Sequence, residues 1–310
     1  MKTEQIGSCE ICSQFSPLEN HLYELGMFCE FLDNSVTYID DEDDGNIRVI
    51  KTSVIAQWLK LASQLKKVDV NTWQFADDAG FYCDVVGDME DSNSEHWSDY
   101  STALTRFIFV SNALEETYRY VANLYNKYAS EKGVVKEKRL RNPNMKAAYL
   151  IDQLSNIYTP NHFEHKDSNV RLIFSLYQKS FKPQLSGLNS MNENSKSYGL
   201  HLIRNLRNHV AHGVFPLIDN PEYFGGNEKD KTIIIHLLLR SCRLAALYIQ
   251  MFIRVSNQAF NSYEYSQMLN ANGEEFEYFI SNCNIDYVTK LHLKSDFSLC
   301  TPYPFGYAID

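Results

Sequence analysis

Four side chains close together in sequence combine two properties that chemistry at a phosphate group requires. In Leu200-His201-Leu202-Ile203-Arg204-Asn205-Leu206-Arg207-Asn208-His209-Val210-Ala211-His212-Gly213, an arginine precedes a histidine by five positions twice, as Arg207/His212 and as Arg204/His209. Histidine exchanges protons near neutrality, with an unperturbed pKa of about 6.5. Arginine stays charged and offers phosphate oxygens a planar fork of donors. An asparagine follows each arginine, Asn208 in one register and Asn205 in the other. The bare spacing is common, and its context carries more information. Gly213 after His212 ranks Arg207/His212 ahead of its rival.

Helical geometry limits how these groups can act together. Five residues at about 100° each leave Arg207 and His212 about 140° apart on a continuous helix, so one regular helix does not aim both at one phosphate. Either the helix ends near Ala211 or two chains share the site. Asn208 precedes His212 by four positions, close enough to orient its ring or a substrate. A plainer reading stands beside this one, in which the stretch is a solvated polar face whose cations suit a helix C-terminus.

The elements that must position these residues read as mainly α. The motif sits on a helix from about Ser197 to Ala211, with Gly213 and Pro216 as its stop, and a long apolar helix runs from about Thr232 to Asn257. Upstream, Leu104, Phe107, Ile108, Ser111, Leu114, Tyr118, Val121, Ala122 and Tyr125 follow the helical period from Ser98 onward. Glu115 and Glu116 interrupt that apolar face, and either one of them turns toward Arg207 or Arg204 or both lie on an exposed helix face. Shorter helical patterns cover Met145 to Ile157 and Asn169 to Phe181. Near the start, Val36 to Ile39 and Ile47 to Ile50 read as a hairpin around an acidic turn, followed by a helix capped by Thr52. Gly87 to Ser98, acidic and rich in serine, reads as a linker. The expected division is a mixed α/β region over 1–95, a helical domain over 96–265 and a C-terminal extension over 266–310.

Arg207-Asn208 followed by His212 resembles the RNxxxH signature, a form of Rx4-6H, of the HEPN superfamily. That superfamily includes toxins of toxin–antitoxin pairs and abortive-infection and ApeA-like antiphage nucleases. The resemblance spans roughly residues 98 to 262. It implies an antiparallel HEPN-like helical bundle and a metal-independent endoribonuclease with no cofactor. RNA carries its own nucleophile in the ribose 2′-OH, so cleavage needs a base, a charge-neutralising group and in-line positioning. The resemblance makes His212 the general base or acid and Arg207 the phosphate clamp. It also implies a homodimer whose motif helices meet in one composite groove, with an antitoxin or regulatory protein as a possible partner. A catalytically silent HEPN-like interaction module is the alternative.

Composition bounds these readings. A formal net charge of −10 argues against a nonspecific nucleic-acid coat and leaves room for a local, transient RNA site. The densest basic stretch holds Lys136, Lys138, Arg139 and Arg141, which is either a guide for an RNA backbone or a solvated connection. Met1 to Phe15 shows no apolar run of leader length, and seven scattered cysteines suit reduced thiols, so a cytoplasmic protein is expected. The apolar stretch Ile233 to Val255 carries His236, Arg240, Arg243 and Arg254, which suits a buried helix and no membrane span. Cys9 and Cys12 form a CxxC that His21 and Cys29 would complete as a zinc site, against ordinary thiols as the simpler reading. Asp40 to Gly45 has the look of a calcium loop, but Lys51 stands where a bidentate glutamate is wanted.

Overall fold

A computed structural model describes residues 9–39, 46–76, 84–135, 138–154, 158–185, 187–188, 191–257, 277–278, 281–295 and 297–299. Among them the chain forms α1 (Glu10–Ser13), α2 (Leu18–Leu32), β1 (Ser35–Ile39), β2 (Ile47–Lys51), α3 (Thr52–Gln64), α4 (Asp84–Glu131), α5 (Pro143–Gln153), α6 (Phe163–Phe181), α7 (Tyr198–Ala211) and α8 (Glu228–Ser256). The fold is mainly helical, with one small antiparallel sheet near the N-terminus.

The two strands pair with Val36 opposite Ile50 and Tyr38 opposite Arg48. Alternation along the strands turns Tyr38 and Ile50 inward and leaves Ile39, Ile47 and Val49 exposed. Thr52 does not cap α3 as expected. Its amide donates to the Asn34 carbonyl at 2.9 Å and its hydroxyl oxygen accepts from the Asn34 amide at 2.9 Å, fastening the base of the hairpin to the helix start. On α3 the buried stripe is Ile55, Ala56, Leu59 and Ala62, while Leu61 is exposed.

Gly87 to Ser98 is not a linker. It belongs to α4, which starts at Asp84 and runs 48 residues. The cause is the extended segment before it. The amides of Val68, Val70 and Thr72 donate to the hydroxyls of Thr102, Ser98 and Ser94 at 2.9, 2.9 and 3.1 Å. Two residues of extended chain rise about 6.6 Å and four residues of helix about 6 Å, so the two periods stay in step. The serines that read as loop composition are the rungs of this ladder, and the boundary expected at residue 95 falls inside a helix.

α8 is central. Sixteen of its residues are buried, including Leu237, Leu244, Tyr248 and Phe252, and it packs on α4 and α6. By length and composition α8 is apolar enough to cross a membrane, but 72% of its apolar window is buried within this chain. One hydrophobic cluster joins Leu22 and Ile55 from the N-terminal part, Phe107 and Leu244 from the middle, and Val288 and Leu291 from the C-terminal part. The C-terminal segment is stitched to the start of the chain, with the Lys294 amide donating to the Gln14 carbonyl at 3.0 Å and the Leu299 amide to Glu24 at 2.8 Å. The three expected regions therefore share a core.

Candidate functional site

The motif helix α7 is fixed at both ends. At its start, Asp152 of α5 accepts from the Ser197 amide at 3.1 Å and from its hydroxyl at 2.6 Å. At its second residue, a Cβ on Gly199 would lie 2.6 Å from both Asp167 Oδ1 and the Tyr248 hydroxyl, so only glycine lets α7 approach α6 and α8 this closely. At its end, the Gly213 amide donates to the Val210 carbonyl and the Val214 amide to the His209 carbonyl at 3.2 and 3.0 Å, with Gly213 at φ +67°. This is a left-handed helix stop. The helix thus ends at Ala211, and His212 caps it.

Arg204, Arg207 and Asn208 fall within one wedge of the helix, separated by about 60° and 40°. They form one wall of a cleft of about 480 Å³. Glu115 and Arg119 of α4 face them, and Tyr38 of β1, Asn142, Pro143 and Asn144 at the start of α5, and Gly187 complete the lining. The expected turn of a glutamate toward the arginines is taken by Glu115, although no ion pair closes between them among the described residues. Glu116 instead pairs with Arg119 at 2.6 Å. Beneath the cleft, burial pushes the Tyr118 hydroxyl well above its ordinary pKa, Glu115 adds to the shift, and Arg204 and Arg207 oppose it.

Several polar groups here lack protein partners. Among the described residues, Arg204 Nε and Asn144 Oδ1 are buried without a hydrogen bond. Arg204 Nη1 reaches only the Met145 sulfur, at 3.7 Å. Buried polar atoms are almost always satisfied in native proteins, so these two beside the basic cleft leave bonding capacity for water or a ligand.

The two histidines of the motif part company. His209 is buried, its Nε2 donating to the Gln184 carbonyl at 2.8 Å and its Nδ1 accepting from the Tyr177 hydroxyl at 3.1 Å. Both ring nitrogens are in use on the side away from the cleft, so Arg204 and His209 do not share a site. Asn205 is buried as well and donates back to the His201 carbonyl at 2.9 Å. His212 is exposed at the helix end and does not line the cleft of its own chain.

The basic connection separates in a similar way. Lys136 lies outside the described residues, and Lys138 and Arg141 are exposed. Arg139 donates to the Val134 carbonyl at 3.1 Å and the Ser130 hydroxyl at 2.8 Å, clasping the end of α4. Of the lining residues that sequence reasoning passed over, Arg119 carried a signal, standing four positions after Glu115 on one helix face. Asn142 before Pro143 is a helix-start pattern. Tyr38 carried none, because its place depends on contacts made across the chain.

The expected zinc set does not assemble. His21 is buried and donates from Nε2 to Gln250 Oε1 at 2.6 Å. Cys29 is buried too, and burial pushes its thiol up. Cys9, the N-cap of α1, and Cys12 within it stay together, and His165 of α6 meets them in place of His21. The acidic turn from Asp40 to Gly45 lies outside the described residues. Comparison with known proteins adds no relative, since no family model, curated protein or solved structure matches this chain.

Proposed function

We propose that this chain is a HEPN-type endoribonuclease that cleaves RNA without a catalytic metal, acting in the cytoplasm as a toxin or antiphage defence effector. The observation that carries the reading is the cleft wall. The RNxxxH helix turns Arg204, Arg207 and Asn208 into one basic cleft, opposite Glu115 and above two unpartnered buried polar atoms. A phosphodiester is an anion with oxygens for arginine forks and, on its ribose, hydroxyls for amide side chains.

In the proposed reaction the 2′-OH oxygen attacks phosphorus while His212 takes its proton. The bond from phosphorus to the 5′-oxygen breaks, and that oxygen leaves with a proton from an acid. The products are a 2′,3′-cyclic phosphate and a 5′-hydroxyl. Arg207 neutralises charge on the equatorial oxygens, where arginine's fork works best. Because His212 stands outside the lining of its own cleft, the proposed working unit is a homodimer in which each chain's His212 reaches the other's Arg207. An antitoxin or regulatory protein that covers the helix end would restrain it.

The test is cleavage of total cellular RNA by wild type, Arg207→Ala and His212→Ala with EDTA present, followed by analysis of product ends. Wild-type cleavage to cyclic or 3′-phosphate ends, lost in both variants, is expected. Cleavage by both variants at the wild-type level overturns the assignment. The position of His212 also favours a second reading, a catalytically silent module whose basic cleft binds a partner. Absence of cleavage by dimeric wild type, with tight binding of a partner protein at the cleft, would establish that reading.

A further inference from the structure

We propose that Cys9, Cys12 and His165 bind one zinc ion, which clamps the N-terminal segment onto α6. Cys9 is the N-cap of α1 and Cys12 follows three positions later within it, and His165 comes from a helix more than a hundred residues later. Their ligand atoms all lie within 4.8 Å of one another. His165 Nε2 is 3.3 Å from Cys12 Sγ and 3.6 Å from Cys9 Sγ. In a tetrahedral site with Zn–S of about 2.3 Å and Zn–N of about 2.0–2.1 Å, a sulfur and a nitrogen stand about 3.5 Å apart. Both sulfur–nitrogen separations thus already sit near the edge length of a zinc tetrahedron, and the two sulfurs lie within 4.8 Å of each other.

The frame around them is made before any metal arrives. Gln14 Oε1 bonds His162 Nε2 at 2.9 Å, and the Ser16 amide donates to the His292 carbonyl at 3.1 Å, which hold the chain after α1 against α6 and the C-terminal segment. Two thiolates and an imidazole select a borderline-soft ion such as zinc over calcium or magnesium. Cys9 and Cys12 are exposed, so water supplies the fourth ligand. Binding releases the two thiol protons to solvent and leaves two Zn–S bonds and one Zn–N bond. The site shares no residue with the Arg207 cleft, and its role is structural.

The experiment uses the full chain purified with zinc in the medium, dialysed against metal-free buffer and analysed for metal content by mass spectrometry. About one zinc per chain is expected for wild type, and a chain loaded with cobalt(II) shows thiolate-to-metal charge-transfer absorption. Cys9→Ser, Cys12→Ser and His165→Ala each weaken zinc binding more than about a hundredfold, beyond what losing a supporting contact costs. Cys29→Ala keeps the zinc and the cobalt spectrum. The proposal is overturned by wild type without zinc, by a Cys9–Cys12 disulfide in zinc-supplied protein, or by His165→Ala retaining full affinity. RNA cleavage is not the readout, so the outcome is independent of the proposed activity.

Discussion

Two polar clusters in this chain follow opposite rules. Around Gln250 the buried side chains are joined in a chain of hydrogen bonds, with His21 Nδ1 left outside it. Its Oε1 accepts from His21 Nε2 at 2.6 Å, and its Nε2 donates to the Val288 carbonyl at 2.6 Å and to His292 Nδ1 at 3.3 Å. His292 Nε2 donates in turn to the Asn161 carbonyl at 2.9 Å. These bonds fix His292 as neutral, burial disfavours charge on His21, and together they tie α2, the chain just before α6 and the C-terminal segment to α8. In the Arg204/Arg207 cleft the cations are partly exposed, and two buried polar atoms find no protein partner. A paired buried network specifies architecture, whereas an unpaired basic cleft keeps its bonding capacity for something else. The difference ties the first cluster to the fold and leaves the second to the proposed recognition of RNA.

The largest effects should separate the clusters. Arg207→Ala and His212→Ala are expected to lower RNA cleavage about 10²- to 10⁴-fold, as loss of a charge clamp or proton-transfer group does. Their urea midpoints should stay within about 0.5 kcal/mol of wild type, since neither side chain supports the core. A one-to-one mixture of the two variants adds a sharper readout. If each cleft takes His212 from the other copy, half the dimers carry one intact site, and activity returns to about a quarter of wild type. No recovery in a mixture that forms heterodimers would mean that the site lies within one chain.

Gln250→Leu should do the reverse, destabilising by about 3 kcal/mol or more while leaving the cleft intact. It strands the His21 donor, the His292 ring and the Val288 carbonyl in the core, at about 1–3 kcal/mol for each unpaired group. A urea midpoint unchanged from wild type would remove the network from the list of what holds α8.

The same network makes stability depend on pH. Burial, then Arg243 and His292, hold His21 well below its ordinary pKa. Burial holds His292 down to about 4, with the Asn161 contact opposing and Arg243 adding to the shift. Folded pKa values below the unfolded one of about 6.5 mean that the unfolded chain binds more protons in this window. Stability from these groups is therefore full above about pH 6.5 and falls as pH drops toward about 4, by on the order of 3 kcal/mol for His292. Urea titrations across that range check the slope, and His292→Gln should flatten it. An equal slope in the variant would assign the acid sensitivity elsewhere.

Much of this arrangement was legible because it is local. The end of α7 at Ala211, the hairpin strands and the apolar course of α8 follow from glycine chemistry and hydrophobic period. What stayed hidden depends on partners far off in sequence. Ser94 and Ser98 look like linker residues until the amides of Thr72 and Val70 are laid against them. His21 lies nearer Cys12 in sequence than His165 does, yet Gln250 claims it. Composition shows that a histidine is present and not which face of its helix finds a carbonyl.

His209 compresses the comparison into one residue, since it lies three positions before His212 and obeys the opposite rule. Its ring joins the Gln184 carbonyl to the Tyr177 hydroxyl, with one nitrogen donating and the other accepting. A ring so occupied has no nitrogen left to exchange a proton with substrate. His209→Phe retains an aromatic ring of similar size but leaves both partners without a bond, so a loss of about 1–3 kcal/mol in urea unfolding is expected. Cleavage per folded molecule should remain near that of wild type. The opposite pattern, abolished cleavage with an unchanged midpoint, would move the reacting pair to Arg204 and His209 and place chemistry on the paired side of α7.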